Sequence, residues 1–160
     1  MAYQLTVFVN EQSPITPGLL VAAIKKWYVN EPSVQVKITP EERKIKYKTE
    51  PDIRVQYPME VDEEWARISE EAEFWEIRIW FLSEPSDPEY HEAFLKDAVD
   101  QSCYSQIAAS KGWIEVAADK DYKLEYFNDC LYITHAIESF PGLVIYNHIM
   151  EEFTPTASVS

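Results

Sequence analysis

Apolar and polar residues alternate from Tyr3 to Val9, with Leu5, Val7 and Val9 set against Gln4, Thr6 and Phe8, a period of two that predicts a strand. Ser13-Pro14 and Thr16-Pro17 interrupt it. Thr16 stands where a helix N-cap belongs and Pro17 at the first helical position, where its missing N–H costs nothing. Leu20, Ala23, Ile24, Trp27 and Tyr28 then recur at helical spacing, and Asn30-Glu31-Pro32 ends this first helix. Val34, Val36 and Ile38 predict a second strand. Ile45, Tyr47, Ile53, Val55 and Tyr57 predict one or two more over 44–57, bent near Pro51, with Arg43, Lys44, Lys46 and Lys48 on an exposed face.

The plainest strand is 74–82, in which Trp75, Ile77, Ile79 and Phe81 face one way and Phe74, Glu76, Arg78 and Trp80 the other. A second helix follows from a Ser86/Glu89 capping box with Pro88 just inside. Its stripe of Tyr90, Phe94, Leu95, Ala98, Val99, Cys103 and Ile107 runs to Lys111-Gly112, and Trp113–Ala117 predicts the return strand. Past the turn at Asp119–Asp121 the pattern is ambiguous. Asn128 fits the cap of a helix carrying Leu131, Thr134 and Ile137, yet Leu131, Tyr132 and Ile133 equally suit a strand. Leu143–Tyr146 predicts a strand and His148–Phe153 a closing helical turn. The small, polar residues 154–160 predict a disordered tail after a single domain over 1–153. Together these elements predict an α+β domain, a mostly antiparallel sheet with helices packed on one face. Its two strand–helix–strand units resemble a ferredoxin-like plait with additions, a likeness of topology that carries no function.

Charge changes the picture most. The chain has 28 acidic and 14 basic residues among 160, a formal net charge of −14. Such a surface repels phosphate backbones and anionic membranes and steers a basic protein inward, so the expected partner is a basic protein rather than nucleic acid or membrane. The excess is uneven. Over 60–76, Glu60, Asp62, Glu63, Glu64, Glu70, Glu71, Glu73 and Glu76 face the single cation Arg67, half the formal charge of the chain. Val61, Trp65, Ile68 and Ala72 recur there at helical spacing, which predicts a short amphipathic helix pinned by Trp65. Trp and Tyr are enriched at protein-binding hot spots, so Trp65 ringed by Glu60, Asp62, Glu63, Glu64, Glu70, Glu71 and Glu73 is the expected contact surface.

Candidate chemistry is sparse. Three glycines scarcely supply a dinucleotide or phosphate-binding loop, and no GxSxG or HExxH is present. His135, Glu138 and His148 would hold a metal only if the ambiguous segment brought them together. Cys103 and Cys130 lie among apolar residues and read as reduced core thiols. The N-terminal residues lack a secretory pattern and no apolar run would span a bilayer, so a cytoplasmic protein without catalytic activity, cofactor or metal is expected. In its small size, acidity and lack of a catalytic constellation the chain resembles bacterial immunity proteins of polymorphic or contact-dependent toxin systems. That resemblance implies an inhibitor that covers the active site of a toxin, often a basic nuclease, with Glu63, Glu64, Trp65, Glu70 and Glu71 in the contact. Two other readings stand beside it: a nucleic-acid mimic from a mobile element, and a small enzyme or metal-dependent protein using His135, Glu138 and His148.

Overall fold

The computed structural model describes residues 2–40, 50–59, 74–85, 87–99, 101–121 and 124–159. The expected strand over 44–49, the acidic residues 60–73 and Ser86 lie outside them.

Among the described residues seven strands form one antiparallel sheet: β1 (Gln4–Val9), β2 (Gln35–Ile38), β3 (Ile53–Pro58), β4 (Phe74–Leu82), β5 (Gly112–Ala118), β6 (Leu143–Asn147) and β7 (Glu152–Pro155), in the order β2-β3-β4-β5-β1-β6-β7. Among the described residues there are four helices: α1 (Pro17–Trp27), α2 (Pro88–Asp97), α3 (Tyr104–Ala108) and α4 (Phe127–Glu138). The fold is α+β. Its inner four strands, β4-β5-β1-β6, with α1 and α4 on one face, follow the split strand–helix–strand order of a ferredoxin-like plait. The unit that completes it is β5-α4-β6 rather than the expected β4-helix-β5, because β4 and β5 are direct antiparallel neighbours in which Ile79 faces Val116. The β2–β3 hairpin and β7 extend the two edges.

Helices cover both faces, not one. Successive strand residues point to opposite sides. Leu5, Val7, Ile53, Val55, Ile77, Ile79, Ile114 and Val116 pack with Leu20 and Ile24 of α1 and Ile133 and Ile137 of α4. On the reverse side Phe8 and Val144 pack with Phe94 and Ala98, Cys103 and Ile107 of the α2–α3 arm. The long second helix breaks here. It starts at Asp87, whose carboxylate accepts from the amides of Glu89 and Tyr90, and it ends at Asp97. The chain turns through Gln101, and Cys103 and Ile107 then reach the sheet from α3 while Tyr90 and Val99 of the expected stripe remain exposed. Val99 and Ser102 are weak helix formers, which makes this the place to break.

After β6 the chain does not enter a helical turn. The Asn147 side chain accepts from the amides of Ile149 and Met150, Glu151 adopts φ +54°, and β7 returns along β6. The expected disordered tail is tied down over much of its length: Thr154 and Pro155 pair with β6, Thr156 donates its amide to Leu143, and Gly142 donates to Ala157. Cys103 and Cys130 are buried and free on opposite faces of the sheet, so they cannot pair. Burial, with the Asp121 and Asp129 carboxylates adding to it, pushes the Cys130 thiol up to about 12, and burial raises Cys103 as well. We expect neither thiol to react with a disulfide reagent at about pH 8 until denaturant is added; rapid labelling of one equivalent in native buffer would contradict this. Among the described residues no helix is long and apolar enough to cross a membrane.

Candidate functional site

The outer side of α4 exposes large apolar residues. This helix buries Cys130, Ile133, Ala136 and Ile137 against the sheet and α1. An amphipathic helix turns polar residues to the opposite side. Here that side carries Phe127, 61% exposed, and Leu131, 39% exposed, preceded in the adjoining turn by Leu124 at 78%. Phe127 and Leu131, one helical turn apart, thus form an exposed apolar pair beside Leu124. The helix contains Asp129 and Glu138 and no lysine or arginine. Sequence pattern suggested a stripe through Leu131, Thr134 and Ile137; packing instead turned the helix so that Ile133 and Ile137 face in and Leu131 out.

Two local devices hold this surface. The Asp121 carboxylate accepts from the amides of Glu125 and Tyr126, each at 2.9 Å, closing the turn that leads into α4. Within it Leu124 sits at φ +55°, a left-handed conformation that a leucine adopts at a cost of about 1–2 kcal/mol. The turn thereby holds an apolar side chain out in solvent. Leu124→Gly is expected to raise stability by about 0.5–1 kcal/mol in urea unfolding, since the strain goes and no buried contact is lost; a loss of stability would show the side chain to be packed.

The second device is aromatic. Trp27, 44% exposed, lies over Tyr132 with centroids 4.8 Å apart and planes 13° from parallel, and over His135 at 6.0 Å. Below it a hydrogen-bonded line ties α4 to α1 and the sheet. Tyr28 donates to Asp129 Oδ1 at 2.8 Å, which leaves the Tyr57 hydroxyl to donate to Tyr28 at 2.6 Å. Burial raises Tyr28, Tyr57 and Asp129 above their ordinary ranges; for Asp129 the Tyr28 hydrogen bond opposes the rise. Trp75 stacks on Tyr126 at 4.2 Å and donates its indole N–H to the Lys120 carbonyl, which fixes the start of α4 over β4.

The residues singled out from sequence fare differently. Glu60, Asp62, Glu63, Glu64, Trp65, Glu70, Glu71 and Glu73 lie outside the described residues. Glu76, from the same acidic run, is no surface charge: it is 5% exposed and bound by Arg54, Gln56 and Arg78. His135 and Glu138 meet at 3.6 Å on α4. His148 lies across the sheet, hydrogen-bonded to Thr6 Oγ1 at 2.8 Å and set among Tyr90, Phe94 and Tyr146. These three do not converge because the sheet separates them, and among the described residues no group of histidine, cysteine and carboxylate ligands has the geometry of a metal site. Burial lowers His148 below the ordinary histidine range.

Trp27, Leu124, Phe127 and Leu131 were not legible as site residues. The one sequence signal was a doubled stripe, since Phe127 and Leu131 fall on a different side of a helix from Cys130, Ile133 and Ile137. No protein-family model, no curated protein and no solved structure matches the chain.

Proposed function

We propose that this protein works by binding another protein, as a non-catalytic inhibitor of the immunity kind that occludes the active surface of a basic partner such as a toxin. The observation that carries this reading is the outward apolar ridge of Leu124, Phe127 and Leu131 beside the Trp27 platform, held open by a strained turn. It stands on a chain of formal net charge −14. Apolar and aromatic area slows release, and the charge accelerates encounter with a positive surface. The chain between Pro58 and Phe74, which carries the densest acidic sequence, leaves and rejoins the sheet at the Tyr57–Trp75–Tyr126 stack, because Pro58 and Phe74 are paired.

Affinity capture with the full chain, at low and then high salt, tests this reading. A basic protein is expected to be retained at low salt and released at high salt. Its retention should fall at least about tenfold, some 1.4 kcal/mol, on Leu131→Lys and on joint reversal of Glu63, Glu64, Glu70 and Glu71 to lysine. Unchanged retention in both variants would place the contact elsewhere, and the absence of any salt-sensitive partner would remove the basis for the reading.

A further inference from the structure

We propose that the outward side of α4, from the Leu124 turn to Glu138, is a docking seam for an amphipathic basic helix of the partner. This rests on the protein-binding reading above and adds which surface is used and what lies on it.

Three observations support it. The first is spacing. Phe127, Leu131 and Glu138 stand at i, i+4 and i+11 along one row of the helix, while Thr134, at i+7 in that row, is half-buried and turned to the Tyr3 hydroxyl and the Cys130 carbonyl. The helix is 12 residues long. That gives a straight seam of about 18 Å, and partner helices anchor in such seams through side chains at the same spacing. Trp27, stacked on Tyr132 and His135, borders the seam on the α1 side.

The second is charge. Glu125 stands at the start of the seam and Glu138 at its end, with no lysine or arginine on α4 itself; the nearest cations in sequence are Lys25 and Lys26, which directly precede Trp27 on α1, and Lys120 and Lys123 on either side of Asp121. A second copy of this chain would bring another net charge of −14 against the first. Like potentials of that size oppose association, whereas lysines or arginines flanking an apolar stripe meet Glu125 and Glu138 favourably. An exposed indole plane also suits a guanidinium or ammonium group laid upon it.

The third is rigidity. The seam is backed by the Tyr57–Tyr28–Asp129 line and by the Trp75–Tyr126 stack, so docking orders little that is not already ordered.

The test uses the full chain and three synthetic peptides of roughly 14 residues, about 21 Å as a helix and so about half a turn longer than the seam. One has leucine and lysine in helical stripe order, one has the same residues in an order that breaks the stripe, and one has glutamate in place of lysine. Binding is followed by tryptophan fluorescence and by amide NMR shifts in the native protein, in Leu131→Lys and in Val99→Lys. Val99 is an exposed apolar residue beyond α2 and serves as the matched control. The striped basic peptide is expected to bind and to shift the amides of Phe127 to Glu138. Leu131→Lys should weaken it at least about tenfold and Val99→Lys less than about twofold.

Equal binding of the striped and scrambled basic peptides, insensitive to Leu131, would overturn the helix seam and leave charge-driven protein binding standing. Failure of every basic peptide to bind at low salt would overturn both. Concentration-dependent self-association of the native chain, abolished by Leu131→Lys, would make a second copy the occupant and overturn the proposal. Circular dichroism of both variants checks that they remain folded.

Discussion

Phe94→Ala is expected to destabilise the protein by about 3–5 kcal/mol, the largest effect of any single truncation on the reverse face of the sheet. Phe94 is the one buried side chain of α2. Its ring meets Phe8 at 5.9 Å, Tyr146 at 4.8 Å, His148 at 5.6 Å and Phe153 at 6.4 Å, mostly edge to face, so one residue ties α2 to β1, β6 and β7. Alanine removes the apolar area and leaves a cavity that these rings, three fixed by their strands and His148 by its hydrogen bond to Thr6, cannot close. Because Phe94 is the only fully buried side chain of α2, with Leu95 and His91 only partly packed on the sheet, the loss should also be local. Urea unfolding reads the total, and amide exchange should accelerate across residues 88–108 before the sheet is affected. A cost below about 1 kcal/mol, or uniform acceleration, would mean that the arm is held by something other than this ring.

Glu76→Gln comes second, at about 2–4 kcal/mol. β3 and β4 set Arg54 directly opposite Arg78, a like-charge cross-strand pair that is unfavourable by itself. The Glu76 carboxylate resolves it. It accepts from Arg54 Nη1 at 2.9 and 3.1 Å and from Gln56 at 2.9 Å, and it pairs with Arg78 Nε, while Asp119 takes Arg78 Nη1 at 2.9 Å and the Glu76 amide at 3.0 Å. Glutamine keeps the shape and loses the charge, leaving two neighbouring guanidinium groups with one carboxylate between them. Both arginine side chains are about one-third exposed, at 34% and 33%, so solvent screens part of the penalty and the lower half of the range is expected. The check is a double-mutant cycle with Arg54→Met: the second change should restore part of what the first removed, because it takes away one of the repelling charges. Additive losses would show that Glu76 acts through shape rather than charge.

The two networks also locate where sequence reading holds and where it stops. The Thr16 cap with Pro17, the alternation in β1, β3 and β4, and the general position of α2 were all legible, since each depends on residues within a few positions of one another. In the sequence Glu76 is the last member of an acidic run and one position on the polar-aromatic face of a strand. It is buried because Arg54, Gln56 and Arg78 arrive on two paired strands, and no local window contains that pairing. His135 and His148 are close in the chain and sit on opposite faces, because β6 passes between α4 and the turn after Asn147.

By itself the sequence determined the α+β class, the strong negative charge and the lack of any familiar catalytic motif, because composition, caps and short-period alternation are local or additive properties. Tertiary structure decided the rest. It ordered the strands, placed helices on both faces, made residues 127–138 a helix rather than a strand, and turned Leu131 outward while Ile133 and Ile137 went in. A short apolar run has two sides that it could bury, and only the surfaces brought against it from elsewhere in the chain select one.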